Sequence, residues 1–466
     1  MVHLLVDETT TDQNVKQFDM HARCWSRAED RVVRKYVASS FLGHARAGDL
    51  KTSIMEALSK DCLPLVKMLH LGCDGPNVNK SLKNQLNESI VQLGGKPLID
   101  IGSCNLHVVR NGFHAGISSV DQSWGVEDLM SDLFGPTFFK KYSSRAEDFT
   151  VIQEALNMEK KALKRFVTVS NHWLSVGPVC EQIIENWAGL TRYFLKTEHS
   201  APIKESSMYK RIATSLQEGN IMLARLHFIV SIANLFKPFL TKFQSESVSI
   251  HLLFEELAQV LRLLLQRFVK VDALKDKNDA QLLSVPLDSH PAQACEFGAH
   301  TLAVLKSLKK DSNPRLALLQ KDMIQFLKSS SKYLQQRLPL KNEFLFNVQC
   351  LTPSKKGNAE TNQMIHVLAA SMPHLASDLR FLDSVSTEWR LYQADADISP
   401  DWAVTHDDGV VPVDKYWARV STLRDGLGNP KYANLMVVVK AALCVSHGQA
   451  DVERGFSLNK PIVDEG

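Results

Sequence analysis

Short apolar runs alternate with helix-like patterns over the first 120 residues of the chain. The strand-like runs are residues 3–6, 13–25, 31–41, 66–71 and 97–101. Apolar residues recur at helical spacing in residues 50–58 and 78–93, and a further helical pattern begins at about Asn105. Strands that alternate with helices are typical of an α/β domain, so we expect this region to form one.

The pattern changes to helices between about residue 125 and residue 392. The helical stretches are residues 175–195, 221–240, 247–269, 300–308, 315–334 and 376–392. Apolar residues of the third stretch recur at the spacing of one helix face, which predicts a core helix. Residues 393–413 are polar and contain proline, so we expect a loop there, followed by a helical tail.

The composition is that of an ordinary globular protein. Of the 466 residues, 44% are apolar and 23% are charged, and the formal net charge is +3. The eight cysteines contain no C-x-x-C pair, which argues against a zinc ribbon or a disulfide framework. No signal peptide is recognisable, and the most apolar run, residues 226–236, is shorter than the roughly 20 residues that span a bilayer. We therefore expect a cytosolic or nuclear protein with reduced thiols and no membrane partner.

The net charge of the whole chain is small, but two of its segments carry large and opposite charges. Residues 306–341 carry nine basic side chains against two acidic ones, and residues 378–414 carry nine acidic against two basic ones. The basic segment could face nucleic-acid phosphates. Its first four basic residues, which we take as candidate DNA contacts, are Lys306, Lys309, Lys310 and Arg315. A solvated helix face is the alternative explanation, and the sequence leaves both open.

Two aspartates come immediately or shortly after the ends of strand-like runs. Asp7 follows the run 3–6, and Asp74 comes shortly after the run 66–71. Side chains at the carboxyl ends of strands in an α/β sheet face the crevice where such proteins bind ligands. Carboxylates suit Mg²⁺, and a third carboxylate would complete a two-metal site for phosphoryl transfer. Turn or capping roles are the alternative for both residues.

Cys104 and His107 are two potential metal ligands three residues apart. Zinc takes four protein ligands, or three and a water, and no second pair of this kind is evident nearby. A structural role is therefore the simpler interpretation for this pair.

The end of the chain carries the most specific pattern. Its features, in order, are Asp414-Lys-Tyr-Trp417, small and apolar residues from Tyr432, Glu453-Arg454, and Phe456-Ser457. This order resembles the C-terminal dimerisation region of the hAT superfamily of transposases. Four further segments are similar to blocks of the same family, in the same order. They contain Asp7, Asp74, Cys104-Asn-Leu-His107 and His172-Trp173-Leu-Ser175.

The resemblance implies a fold and a division of the chain. The family has a ribonuclease-H-like α/β domain that is interrupted by a large all-α insertion domain. Residues 1–165 would form the first part of the α/β domain and residues 166–410 the helical insertion. Residues 411–466 would form the dimerisation region, which completes the α/β domain.

The resemblance also implies roles for single residues. Asp7, Asp74 and Glu453 would bind two Mg²⁺ ions for the cleavage and joining of DNA strands. Trp173, with His172 beside it, would stack on a flipped DNA base, a contact that contributes on the order of 1–3 kcal/mol. A core aromatic at a helix start is the alternative for Trp173. The motif residues with a structural role would be Cys104, His107, Arg454 and Phe456.

Several positions depart from the family pattern. His172 stands where the family usually has arginine, and Asp7 is followed by Glu-Thr-Thr instead of a tryptophan-containing block. The family's N-terminal zinc finger has no counterpart in this sequence, and few residues follow Glu453. We therefore expect a truncated or domesticated member that acts in the nucleus. Its partners would be DNA and further copies of itself, as a homodimer or higher oligomer weakened by the short tail.

Two functions from different classes are compatible with these residues. The chain is either a Mg²⁺-dependent transposase core, or a catalytically inactive regulator that binds DNA or protein partners. A third interpretation is an inert remnant that keeps the fold without a role.

Overall fold

The computed structural model describes residues 2–10, 15–134, 138–139, 142–158, 176–373, 378–405 and 409–448. The chain forms two compact units, each assembled from separate stretches of sequence. The first, which we call the sheet unit, comprises Met1–Val108, Thr241–Ala258 and Leu338–Gly466. The second, the helical unit, comprises Val109–Leu240 and Gln259–Arg337.

The sheet unit contains a mixed four-stranded sheet. Its strands are β1 Val2–Thr10, β2 Lys16–Ser26, β3 Arg31–Leu42 and β4 Met68–Gly72. They lie in the order β3-β2-β1-β4, in which β2 is antiparallel to both neighbours and β1 is parallel to β4. Each of the four coincides with one of the strand-like runs of the sequence.

The fifth strand-like run, residues 97–101, is reduced to a single bridge. Ile99 forms a parallel bridge with His70 of β4. Pro97 has no N–H to offer a neighbouring strand, and the N–H of Leu98 donates to a side-chain oxygen at 2.9 Å. The run therefore lies beside β4 without extending the ladder.

Helices make up most of the remaining described residues. In chain order they are α1 Ala47–Lys60, α2 Asn77–Gln92, α3 Asn105–Ser118, α4 Asp121–Trp124, α5 Val126–Phe134, α6 Ser143–Ala155, α7 Val176–Glu185, α8 Trp187–Thr191, α9 Ala201–Glu205, α10 Ser207–Gln217, α11 Asn220–Phe243, α12 Leu253–Gln266, α13 Val271–Leu274, α14 Ala299–Lys310, α15 Leu316–Arg337, α16 Glu343–Asn347, α17 Thr361–Ala370, α18 Leu379–Ala394, α19 Val413–Ser421 and α20 Ala433–Leu443. Shorter 3₁₀ turns and a π-helical turn, Arg192–Lys196, join several of them.

One face of the sheet packs against α1 and α2 and forms an apolar core. The buried residues of this core include, on the strands, Leu4, Val6, Phe18, Met20 and Leu71 and, on the helices, Leu50, Ile54, Leu82, Leu86 and Ile90. Alternate residues of a strand point to opposite faces, so the strand positions define one side of the sheet. Removing this apolar surface from water contributes roughly 25 cal/mol per Å² to stability. We call this side the apolar face.

The C-terminal helices of the sheet unit pack on one another around large aromatic side chains. Trp389 of α18 and Trp417 of α19 are fully buried, and their ring centroids lie 6.2 Å apart. The Trp417 indole N–H donates to the carbonyl of Leu351 at 3.0 Å. All of these residues lie in the stretch Leu338–Gly466 of the sheet unit, whereas the predicted insertion extends to residue 410.

The helical unit begins inside α3, well before the predicted insertion boundary at residue 166. A Cβ added at Gly112 would lie 2.5 Å from Leu334 of α15, and one at Gly116 would lie 2.5 Å from Phe326 of α15. The two glycines therefore allow α3 and α15 to approach closely. This packing explains why residues 109–118 belong to the helical unit.

Helix α11 supplies much of the apolar interior of the helical unit. By length and composition it could cross a membrane, and its most apolar window is 56% buried. Phe228 of α11 is fully buried, and its ring packs edge-to-face on Phe326 with 5.2 Å between centroids. Core helices of globular proteins have the same composition, and the aromatic packing agrees with a core helix.

Candidate functional site

The second face of the sheet carries polar side chains, most of them buried. The residues paired across this face are His3 with Arg23, Leu5 with His21, Asp7 with Asp19, and His3 with His70 of β4. Apart from Asp7, each of these residues is 5% exposed or less. We call this side the polar face. Burying polar groups costs free energy unless their hydrogen bonds are satisfied, so this face is not composed for stability alone.

The parallel pairing of β1 with β4 relates the two predicted catalytic aspartates. Leu5 of β1 pairs with Gly72 at the end of β4. Asp7 and Asp74 each lie two residues beyond this pair, on neighbouring segments of chain. Both therefore follow the last parallel pair toward the carboxyl edge of the sheet, Asp7 within β1 and Asp74 in the segment between β4 and α2.

Asp7 lies inside β1, whereas the sequence predicts it at the end of a strand. The hairpin with β2 continues as far as the pair Thr10 with Lys16, which extends β1 three residues past Asp7. One carboxylate oxygen of Asp7, Oδ1, accepts a hydrogen bond from the N–H of Glu8 at 2.9 Å. The side chain is half-buried at the rim of the polar face.

Asp74 is held by a residue that the sequence patterns do not reveal. The side-chain amide of Asn79, in the first turn of α2, donates to Asp74 Oδ1 at 2.5 Å. Asn79 is 4% exposed, so its orientation is fixed by the surrounding packing. No spacing in the sequence predicts the hydrogen bond between Asn79 and Asp74, because the bond depends on the residue at which α2 begins.

Asp19 is a second site residue that is absent from the sequence-based prediction. It lies directly opposite Asp7 on β2 and is fully buried. Its Oδ1 accepts hydrogen bonds from Gln17 Nε2 at 2.9 Å and from Ser39 Oγ at 2.5 Å. Its Oδ2 is buried and has no hydrogen-bond partner among the residues that the structure describes. An acidic residue between the apolar neighbours Phe18 and Met20 was the signal that could have revealed it.

Two buried histidines lie side by side on the polar face. The rings of His3 and His70 have centroids 6.4 Å apart, and both residues are 1% exposed. Burial lowers the pKa of His70 to about 4, and burial with the neighbouring His70 holds the pKa of His3 well below its usual range. Both imidazoles are therefore neutral near pH 7. His70 Nδ1 donates to the carbonyl of Ile99 at 2.9 Å, so its Nε2 carries a free lone pair.

The last described residues of the chain approach the same edge of the sheet. A Cβ added at Gly72 would lie 3.7 Å from Cβ of Ser446, and one at Gly448 would lie 3.8 Å from Sγ of Cys104. Cys104 is buried, and His107 one turn further along α3 is half-buried. Segments close to both ends of the chain therefore meet at the carboxyl end of β4.

Five of the predicted site residues lie outside the described residues, so the structure does not locate them. They are His172, Trp173, Glu453, Arg454 and Phe456. Within the described ranges, no group of three or more histidine, cysteine, aspartate or glutamate side chains converges closely enough to hold a metal ion. Asp7 and Asp74 are not part of such a group among the described residues, and the predicted metal site, with Glu453 as its third ligand, stays a prediction.

The predicted DNA contacts lie in the helical unit. Lys306, Lys309 and Lys310 are exposed on α14, and in the described part of the chain they form no ion pair. Arg315 differs, because its guanidinium donates to Glu218 at 2.6 Å. Three of the four cations are therefore free to meet phosphate, and the fourth already has a carboxylate partner.

Comparison with known proteins adds no assignment to this geometry. No family model matches the chain, and no curated protein matches it. The resemblance to the hAT superfamily and the fold that it implies therefore stay predictions from the sequence motifs.

Proposed function

We propose that this chain is the core of an hAT-type DNA transposase with a ribonuclease-H-like fold, which cleaves and transfers DNA strands with Mg²⁺. The observation that carries the proposal is the parallel pairing of β1 with β4 as far as Leu5 and Gly72, because Asp7 and Asp74 each follow this pair by two residues toward the carboxyl edge of the sheet. Ligands of α/β sheets bind at this edge. The approach of Ser446 and Gly448 to the same edge adds support, because Glu453 follows five residues later.

The side chains at this edge suit a hard divalent cation. Asp7 and Asp19 lie opposite each other on adjacent antiparallel strands, where like charges repel. That repulsion would be relieved if Asp7 held a divalent cation. Mg²⁺ prefers carboxylate oxygens over nitrogen or sulfur ligands. The chemistry of the donors thus agrees with the proposed metal.

Each residue has a distinct role in the proposed reaction. Asp7, Asp74 and Glu453 hold the metal ions, which supply Lewis-acid activation and charge stabilisation for in-line displacement at phosphorus. Asn79 keeps the Asp74 carboxylate in one orientation through its 2.5 Å hydrogen bond. Trp173 stacks on an unpaired base, and the exposed lysines of α14 neutralise phosphates. The proposal also carries a nuclear location and self-association through residues 411–466.

The test is Mg²⁺-dependent cleavage of labelled DNA by the full chain. We expect Asp74→Asn to lower the cleavage rate by at least about 100-fold, because it removes charge from a metal ligand. Asp100→Asn is the matched control, since Asp100 lies within the strand-like run 97–101 but forms an exposed ion pair with Lys83 at 2.8 Å. It should cleave at the wild-type rate.

Two outcomes contradict the proposal. One is wild-type cleavage that survives Asp74→Asn. The other is steeply salt-dependent DNA binding without any cleavage in Mg²⁺ or Mn²⁺, which favours the catalytically inactive regulator.

A further inference from the structure

A cavity of about 460 Å³ lies within the helical unit. Its wall is built by α11, by the end of α12 with the residue that follows it, and by residues 296–301. Pockets that hold small organic ligands have volumes of roughly 300–1,000 Å³. The cavity is therefore large enough for a small molecule, and its wall combines polar and apolar side chains.

The amino end of α14 opens into this cavity. The helix spans Ala299–Lys310, and no side chain caps its N-terminus at Gly298. The first amides of a helix have no partner inside the helix and carry about half a positive charge, so they attract anions. Glycine is one of the residues that helices commonly have at this position, and it leaves the first amides without a side-chain acceptor.

Thr301 gives a second and independent indication of a ligand. It lines the cavity in the first turn of α14 and is fully buried. Its Oγ1 has no hydrogen-bond partner among the described residues. A ligand oxygen that reached this hydroxyl would give it a hydrogen-bond partner.

Arg267 brings a positive charge to the same wall. Burial is the larger influence and lowers the pKa of its guanidinium, whereas the nearby charge of Glu296 raises it. It donates to Ser231 Oγ at 2.9 Å, which holds it beside α11. Glu296 is the acidic residue of the wall and is exposed, so the cation is the more buried of the two charges. Arginine is well suited to bind phosphate oxygens.

The remaining lining favours an organic group attached to the anion. Val230, Leu235 and Leu263 supply apolar surface, and His227 and His300 stack with ring centroids 5.4 Å apart. Inorganic phosphate would leave this surface in contact with water. A ligand that carries both a phosphate and a planar or apolar group would use both parts of the wall.

We propose that this cavity binds a small organic phosphate of about nucleotide size. The phosphate lies at the amino end of α14, where it accepts hydrogen bonds from the helix amides and from Thr301 Oγ1. Arg267 neutralises its charge, and the organic group packs against the apolar wall and the histidine pair. A concave site of this kind fits a free phosphate ester better than the convex backbone of a DNA duplex.

The test is calorimetric titration of the full chain with three probes: adenosine monophosphate, inorganic phosphate and a short DNA duplex. We expect the nucleotide to bind at least about tenfold more tightly than inorganic phosphate. Thr301→Val removes the buried hydroxyl with little change in volume, and Arg267→Gln removes the charge. Each should weaken nucleotide binding by about tenfold or more.

The controls separate binding from folding. Thr301→Val should leave the melting temperature unchanged or raise it, because the hydroxyl has no partner in the free protein. Arg262→Gln changes a nearby arginine that pairs with Asp279 at 3.0 Å and does not line the cavity, so nucleotide affinity should stay at the wild-type value. The proposal is overturned if no nucleotide binds at millimolar concentration. It is likewise overturned if Thr301→Val and Arg267→Gln both bind the nucleotide as tightly as the wild type does. It is also overturned if the two cavity substitutions weaken only duplex binding.

Discussion

The two faces of the four-stranded sheet are made by the same strands and have opposite compositions. On the apolar face, Leu4, Val6, Phe18 and Met20 pack against α1 and α2. On the polar face, Asp19, His3 and His70 are almost completely buried, and the apolar Leu5 lies among them. The alternation of side chains along a strand is all that separates the two sets.

The difference separates residues that stabilise the fold from residues that cost stability. Each apolar side chain gains about 1.5–3 kcal/mol when it leaves water. A buried carboxylate or imidazole without full hydrogen bonding loses free energy, and Asp19 Oδ2 and His70 Nε2 both lack partners among the described residues. Groups that cost stability are concentrated where a protein binds or reacts, so we interpret the polar face as the functional one.

The largest expected effect is on the apolar face. Phe18→Ala should lower the free energy of unfolding by about 3–5 kcal/mol, because it leaves a cavity in a fully packed core. Phe41→Ala on β3 is the matched control, since Phe41 is 59% exposed and should cost less than about 1 kcal/mol. Urea unfolding measures both. Equal losses for the two variants would contradict the assignment of the apolar face as the core.

The next effect is a pH dependence that comes from the polar face. Unfolded chains protonate histidine near pH 6.5, whereas folded His70 stays neutral down to about pH 4. The unfolded state therefore binds more protons, so stability is full above pH 6.5 and falls as the pH drops toward 4. The slope is on the order of 1 kcal/mol per pH unit for each buried histidine.

Substitution of one histidine isolates this pH effect. Unfolding curves at pH 7, 6 and 5 should show a shallower slope for His70→Gln than for the wild type. His114→Gln, at an exposed position on α3, should keep the wild-type slope. An unchanged slope in His70→Gln would show that the buried pair does not control the pH response.

Substitution of Asp19 should have a smaller effect on stability. It should not lower the melting temperature, whereas substitution of a core residue should. Asp19→Asn removes a negative charge directly opposite Asp7 and keeps the side-chain volume. Without metal, we expect the melting temperature to stay the same or rise. With Mg²⁺ the wild type should gain stability by mass action, and the variant should gain less. A fall of several degrees without metal would place Asp19 among the stabilising residues.

The smallest effect on stability is expected from the exposed lysines of α14. Replacing Lys306, Lys309 and Lys310 by alanine should change the free energy of unfolding by less than about 0.5 kcal/mol for each residue. The slope of log affinity for DNA against log salt should become shallower by about 0.9 for each phosphate contact that is lost. Arg315→Ala should change that slope less, because Arg315 is held by Glu218. An unchanged slope in the triple variant would exclude this helix as a DNA contact.

The periodicity of apolar residues is enough to predict the strands of the sheet, but not which site residues lie on each of its two faces. The apolar runs locate β1 to β4, and Asp7 and Asp74 stand out because they come close behind two of them. Asp19 requires the register between β1 and β2, because a shift of one residue would move it to the other face. Asn79 requires the exact start of α2. Neither is fixed by local pattern.

The division into units is equally dependent on tertiary contacts. Gly112 and Gly116 are recognisable as small residues on one face of α3, but their partners on α15 lie more than 200 residues later in the chain. The indole N–H of Trp417 likewise donates to the carbonyl of Leu351, which precedes the predicted loop 393–413 in the chain. Such long-range packing explains why the predicted boundaries at residues 165 and 410 differ from those of the compact units.

The most direct test of the central claim, that the polar face carries a divalent-metal site, is calorimetric titration of the full chain with Mn²⁺. We expect wild-type protein to bind the metal, and Asp7→Asn and Asp74→Asn each to weaken binding by at least about tenfold. Asp100→Asn should bind as the wild type does. Metal affinity that is unchanged in both Asp7→Asn and Asp74→Asn would contradict the claim.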